Sequence, residues 1–201
     1  MTLDNVKKYI LQNSEEEIYS KFLLGQDVWY FREHIKNENS LLFYDKFKNF
    51  ISSKLSIRFN NISIMGSAKT QFSFAPKKDF KKFDKFSDFD LILVSEKLFG
   101  MFWDAYYEIS REQYLKNYFQ ISSNIFRKFI TIKDSDNDYS NSILQNWQRD
   151  VTQFKTQLQV EFRIFNEINY RIYSDWDAVE SYHLNSLTKL KERLNEINRT
   201  N

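Results

Sequence analysis

Cysteine is missing from the sequence altogether, which rules out a disulfide framework and any thiolate metal site. The absence fits a reducing compartment. Glycine occurs 3 times and proline once. That excludes Gly-rich dinucleotide and P-loop motifs and predicts long elements joined by few tight turns. Gly66-Ser67 is followed by no second glycine, so it is not a nucleophile elbow either. No apolar run approaches the roughly 20 residues of a spanning helix, and residues 1–12 lack a signal-peptide core. The reading is a cytoplasmic protein with no membrane partner. Net charge is small, at +2, so total charge does not imply a nonspecific nucleic-acid binder. His34 and His183 stand singly, with no second ligand at zinc spacing. The 20 Phe and 12 Tyr are abundant, but they also suit an AT-rich coding sequence and carry little functional weight. A chain of 201 residues can bury a real core unaided and reads as one domain, 1–201.

Helical signals dominate the N-terminal part, residues 1–55. Ser14 followed by Glu17 forms a capping-box pattern, with a helix to about Leu24 and Gly25 as its stop. A second helical piece runs from Asp27 to Lys36. From Ser40, the positions Leu42, Phe43, Phe47, Phe50, Ile51 and Leu55 recur at helical spacing. Residues 56–165 read as a core with a helical insertion: a strand over Ser56–Met65, a second over Phe86–Ser95, helices across Leu98–Lys133, a polar turn at 134–142 and a helix over Ser142–Leu158. Leu158, Val160, Phe162 and Ile164 then alternate with Gln159, Glu161 and Arg163, which predicts a third strand over Leu158–Phe165. Tyr170–Tyr173 adds a short fourth. Residues 166–201 end in an amphipathic helix over Asp177–Asn198, with Leu184, Leu187, Leu190, Leu194 and Ile197 as its stripe. The fold class expected is α/β (α+β): a small mixed β-sheet wrapped by several helices.

The stretch Ile62–Ser95 carries the chemistry. A short apolar run ends in Gly66-Ser67, and a later one opens with Asp88-Phe89-Asp90. Alternation along a strand puts both aspartates on one face. Side-by-side carboxylates repel, and a hard divalent cation with its preference for oxygen removes that cost. Glu161, on the polar face of the expected third strand, is the candidate third carboxylate. Three such acids would make a site for two divalent ions. Taken alone, Glu161 also reads as an exposed strand residue paired with Arg163 or a lysine.

Met65-Gly66-Ser67, then Asp88-Phe89-Asp90-Leu91, then a later strand acid resemble the DNA polymerase beta-type nucleotidyltransferase superfamily. The resemblance implies a sheet of the nucleotidyltransferase type and transfer of a nucleoside monophosphate from an NTP or dNTP to a hydroxyl. It also implies Mg2+ (or Mn2+) bound by Asp88, Asp90 and Glu161. Gly66 and Ser67, with Lys69, would hold the triphosphate. Lys189, on the C-terminal helix, is a further candidate for it. Residues 68–87 make a longer spacer than the family's usual one. The segment from Asp175 to Lys191 is similar to short bacterial nucleotidyltransferase-like proteins of antiphage defence loci. That implies a nucleotide or oligonucleotide signal read by an effector protein from a neighbouring gene. The alternatives are a toxin-like enzyme that modifies a protein or tRNA, and a non-catalytic binding module of the same fold.

The spacer holds Lys77, Lys78, Lys81, Lys82 and Lys85 against Asp79 and Asp84. It could meet an oligonucleotide acceptor or the triphosphate, with Phe80, Phe83 and Phe86 stacking on bases. The bland reading is a solvated loop whose aromatics fold inward. Asp134, Asp136 and Asp138 imitate a calcium loop, but Tyr139 and Gln145 stand where it needs Gly and Glu. The segment reads as a solvated turn.

Overall fold

The computed structural model describes residues 2–112, 114–136 and 141–200. Helix α1 (Leu3–Gln12) is capped by Thr2 and buries Val6 and Ile10. Helix α2 (Glu15–Tyr19) starts with the expected capping box. The Ser14 amide donates to Glu17 Oε2 at 2.8 Å, and the Glu17 amide to Ser14 Oγ at 3.2 Å. These bonds satisfy two donors that a helix start would otherwise orphan. The helix widens into a π turn over Ser20–Leu24 and stops at Gly25. A second wide turn, Tyr30–His34, leads to α3 (Ser40–Leu55), which buries Tyr44, Phe47 and Ile51.

Four strands form one mixed sheet in the order β1-β2-β4-β3. They are β1 (Ile62–Met65), β2 (Phe89–Val94), β3 (Phe129–Lys133) and β4 (Ile168–Tyr173). β1 runs antiparallel to β2, β2 parallel to β4, and β4 antiparallel to β3. The register sorts side chains between two faces. One carries Ile62, Ile64, Phe89, Leu91, Leu93, Ile130, Ile132, Ile168, Tyr170 and Ile172, all in the larger core cluster. Helices α3, α5 (Glu96–Glu112) and α7 (Ser142–Phe162) cover it with Phe47, Phe102, Val151, Phe154 and Phe162. Each side chain of this size stabilises the fold by about 1.5–3 kcal/mol on burial. The other face carries Met65, Ile92, Val94, Phe129 and Tyr173, packed against α1, α2 and α8 (Trp176–Thr200). Burial on both sides explains why β2 reads as an unbroken apolar run from Leu91 to Val94.

Every strand expectation changes in its bounds or its kind, with the expected Phe86–Ser95 shortened to Phe89–Val94. Ser56–Met65 is a strand only over its last four residues, after a 3-10 turn at Phe59–Asn61. Phe129–Lys133, read as helix, is the edge strand β3. It follows the short helix α6 (Tyr118–Phe126) and a left-handed Lys128 at φ 58°. Its β-branched Ile130, Thr131 and Ile132 suit a pleated surface better than a helix.

The expected third strand is not a strand. Leu158–Phe162 continues α7, which ends at a left-handed Arg163, φ 55°. Its stripe of Leu144, Trp147, Val151, Phe154, Leu158 and Phe162 keeps the three- and four-residue spacing of one helix face. Leu158 and Phe162 satisfy both periods, but a strand would also bury Val160, which is 74% exposed. β4 takes the place beside β2, and is longer than the expected Tyr170–Tyr173. No helix among the described residues is long and apolar enough to cross a membrane.

Candidate functional site

The sheet face under α8 is polar at the end where β1 turns into the chain's Gly-Ser step. Met65 lies opposite Asp90 across the antiparallel pair, so the backbone leaving β1 passes the Asp90 carboxylate. Gly66 makes that passage with φ +68°, and a Cβ placed on it would lie 2.3 Å from Asp90 Oδ2. Only glycine combines that dihedral with that approach. Ser67 then opens a single helical turn, α4 (Ser67–Thr70). The Gly66 carbonyl accepts from the amides of Lys69 at 3.1 Å and Thr70 at 3.3 Å. Gln71, at φ 73°, closes the turn. Gly66 takes its positive φ without strain, but at Gln71 a side chain makes it costly, and such strain collects at functional sites.

β4 supplies the partners of Asp90. Asn169 lies opposite Asp90 in the parallel pair, and Asn169 Nδ2 donates to Asp90 Oδ1 at 2.7 Å. Arg171 donates to the same oxygen from Nε and lies 3.1 Å from it through Nη2. Burial disfavours the Arg171 cation, but Asp90, with Tyr173 and Tyr182, more than offsets this and raises its pKa. Asp88, one residue before β2, lies 3.6 Å from Lys133 Nζ on β3. Lys133 also donates to Glu167 at 2.5 Å. Glu167 precedes β4, and its carbonyl accepts from the Phe89 amide at 2.8 Å. Lys133 and Ser135 hold the Glu167 carboxyl below its ordinary range, and Glu167 in turn raises Lys133.

Of the residues singled out in the sequence, Gly66 and Asp90 meet directly, with Ser67 next to the one in the chain and Asp88 two residues before the other. Glu161 sits in the last turn of α7, in the layer over the opposite sheet face, 3.5 Å from Lys46. It is not beside the aspartates, because a helix rather than a strand carries it. Lys69 is buried and turned away, its Nζ donating to the Gly25 carbonyl at 2.6 Å. Burial lowers its pKa to about 8. Lys189 is exposed on α8. Nearby Lys191 donates to the Asn13 carbonyl at 2.7 Å.

Sequence reasoning missed Lys133, Glu167, Asn169 and Arg171. The signal was present: Glu167, Asn169 and Arg171 alternate with Ile168, Tyr170 and Ile172 as cleanly as the segment around Glu161 does. Asp134 is also corrected. It is buried, 3.0 Å from Lys155, rather than solvated. Asp138 and Tyr139 of the calcium-loop comparison lie outside the described residues.

Among the described residues, no three His, Asp or Glu side chains converge in a way that could hold a metal ion. The donors present are nonetheless oxygens of the kind Mg2+ and Mn2+ take. They are the Asp88 and Asp90 carboxylates and the buried Asn169 Oδ1, which has no hydrogen-bond partner. The residues fit a cation held by two aspartates, not one enclosed by three acids. A separate cavity of about 630 Å3 opens beside Tyr114, Tyr118 and Phe119. Its lining among the described residues is completed by Ser110, Leu115, Asn117 and Gln120. No family model matches the chain, and comparison with curated proteins and with solved structures returns no match.

Proposed function

We propose that this protein is a nucleotidyltransferase, moving a nucleoside monophosphate from an NTP or dNTP to a hydroxyl. The observation that carries this reading is the approach of Gly66 to Asp90. It joins a Gly-Ser turn, suited to phosphate, to a carboxylate pair suited to a phosphate-bound cation. The acceptor hydroxyl gives up its proton to solvent water and its oxygen bonds to the α-phosphorus as the bond to the leaving pyrophosphate breaks. Asp88 and Asp90 would hold Mg2+ or Mn2+, which when bound lowers the pKa of the attacking hydroxyl and neutralises pyrophosphate. Asn169 and Arg171 fix the orientation of Asp90, and Lys133 positions Asp88 against Glu167. A role in making a phage-defence signal rests on the resemblance of the C-terminal segment alone.

The test is incubation of the purified protein with each labelled NTP and dNTP, with Mg2+ or Mn2+. Pyrophosphate together with free oligomers is the expected result. Label on added tRNA or on protein would point to the toxin-like alternative. Asp88→Ala and Asp90→Ala should each abolish transfer, and wild-type activity in either would sink the site assignment.

One observation favours a second reading, a nucleotide-binding module without turnover. Each aspartate already faces a cation of the fold, Lys133 at 3.6 Å and Arg171 at 3.1 Å. Calorimetric binding of an NTP, lost in Asp90→Ala, with no pyrophosphate under any condition would select it.

A further inference from the structure

The basic spacer folds in a way that separates its aromatic residues. Phe80 and Phe83 are buried, but Phe86 is 79% exposed. Phe86 is two residues from Asp88 and is held outward by a rigid turn. Asp84 Oδ1 accepts from the Phe86 amide and from Ser87 Oγ, each at 2.9 Å, and the Asp84 amide donates to Ser87 Oγ at 3.0 Å. Asn166, from the loop between α7 and β4, clamps both ends of this turn. Its Nδ2 donates to the Asp84 carbonyl at 3.0 Å and to the Ser87 carbonyl at 2.8 Å. The residue before Asn166 is Phe165, itself 72% exposed. Asn166 therefore ties together two distant segments of the chain, each carrying an outward phenyl ring, at the rim of the Asp88 site. Lys85 Nζ lies 4.9 Å from the Phe86 ring centroid, and Lys77, Lys78, Lys81 and Lys82 are exposed on the same spacer.

Single exposed phenylalanines are ordinary. A clamped pair beside a row of lysines combines the two features that bind single-stranded nucleic acid: faces for bases and cations for the backbone. We propose that this rim is the seat of a single-stranded oligonucleotide acceptor, its terminal base stacked on Phe86 and Phe165 and its phosphates along Lys77–Lys85. Lys81 is paired with Asp84 at 3.6 Å, and the four other lysines, spread over nine residues, suit the repeated phosphates of a strand better than the NTP itself. The inference deepens the nucleotidyl-transfer reading by naming its acceptor.

Binding is measured without NTP or divalent ion, so it stands apart from turnover. The probes are fluorescein-labelled single strands of oligo-rA, oligo-rU and oligo-dT, about a dozen nucleotides long, read by anisotropy across a salt series. At least one strand should bind with log affinity falling linearly in log salt. Phe86→Ala should weaken it about ten-fold with an unchanged melting temperature. Phe165→Ala should weaken it less. Lys82→Glu with Lys85→Glu should flatten the salt slope. Absence of binding by all strands, or affinity unaltered in both phenylalanine variants, overturns the proposal. Binding that needs Phe86 supports it even if no NTP is ever turned over, in which case only the transfer reading fails.

Discussion

At one end of the α8-covered sheet face, Ile92, Val94, Phe129 and Tyr173 are buried against Val179, Leu187 and Leu190. At the other end, two or four residues along the same strands, the side chains are Asp90, Asn169, Arg171 and Lys133. β2 and β4 each contribute to both ends without any change of secondary structure. What differs is the cover. α8 seals the apolar end, while the polar end meets the tight Gly66–Ser67 turn, with Asp88 and Asp90 half-buried. A strand fixes which way a side chain points, and the neighbouring layer decides whether that direction is a core or a site.

That contrast can be broken from either side. The largest effect is expected at the sealed end. Leu190 is 1% exposed, so Leu190→Ala should cost about 2–5 kcal/mol in denaturant unfolding while sparing nucleotide binding in the folded fraction. Gly66→Ala acts at the open end, placing a methyl group against Asp90 at a positive φ. It should cost about 1–3 kcal/mol and remove nucleotide binding altogether. A variant that binds normally would show that the close approach is incidental.

His183 lies at the seam, stacked on Tyr19, with Arg171 and Lys69 adding positive field around it. Burial first, and then those cations, lower its pKa to about 3. The unfolded chain therefore binds a proton below about pH 6.5 that the folded chain refuses down to about pH 3. Stability should fall on acidification across that window by about 1.4 kcal/mol per pH unit from this group. His183 Nε2 has no hydrogen-bond partner, so His183→Phe should flatten the slope at little cost at pH 8. An unchanged slope in chemical unfolding from pH 4 to 6 would remove His183 from the account. The smallest effect belongs to Glu161→Gln. It loses one surface pair with Lys46, worth about 0–1 kcal/mol, and should leave transfer activity intact. A large loss of activity there would reinstate Glu161 as a ligand.

The legible parts of the site were those set by local rules. Gly66-Ser67 after an apolar run, and Asp88-x-Asp90 before one, needed only alternation and the special freedom of glycine. The capping box at Ser14 and Glu17 was readable for the same reason, since its partners are three residues apart. Glu161 was misplaced because Leu158 and Phe162 fit both a two-residue and a four-residue period, and Val160, which decides between them, is apolar yet exposed. Whether an apolar side chain is covered is not a local property.

The sequence by itself determined the carboxylate pair, the Gly-Ser step, the absence of thiol chemistry and a mixed helical and stranded architecture. All of these follow from residue type and near-neighbour spacing. Tertiary structure alone decided which strand lies beside Asp90. It is β4, reached by a crossover of more than seventy residues, so Asn169, Arg171 and Glu167 surround the aspartates and Glu161 does not. Strand pairing across such a distance is chosen by the whole buried face of the sheet, with Phe89, Leu91 and Leu93 packing beside Ile168, Tyr170 and Ile172. No short window of the chain contains that choice.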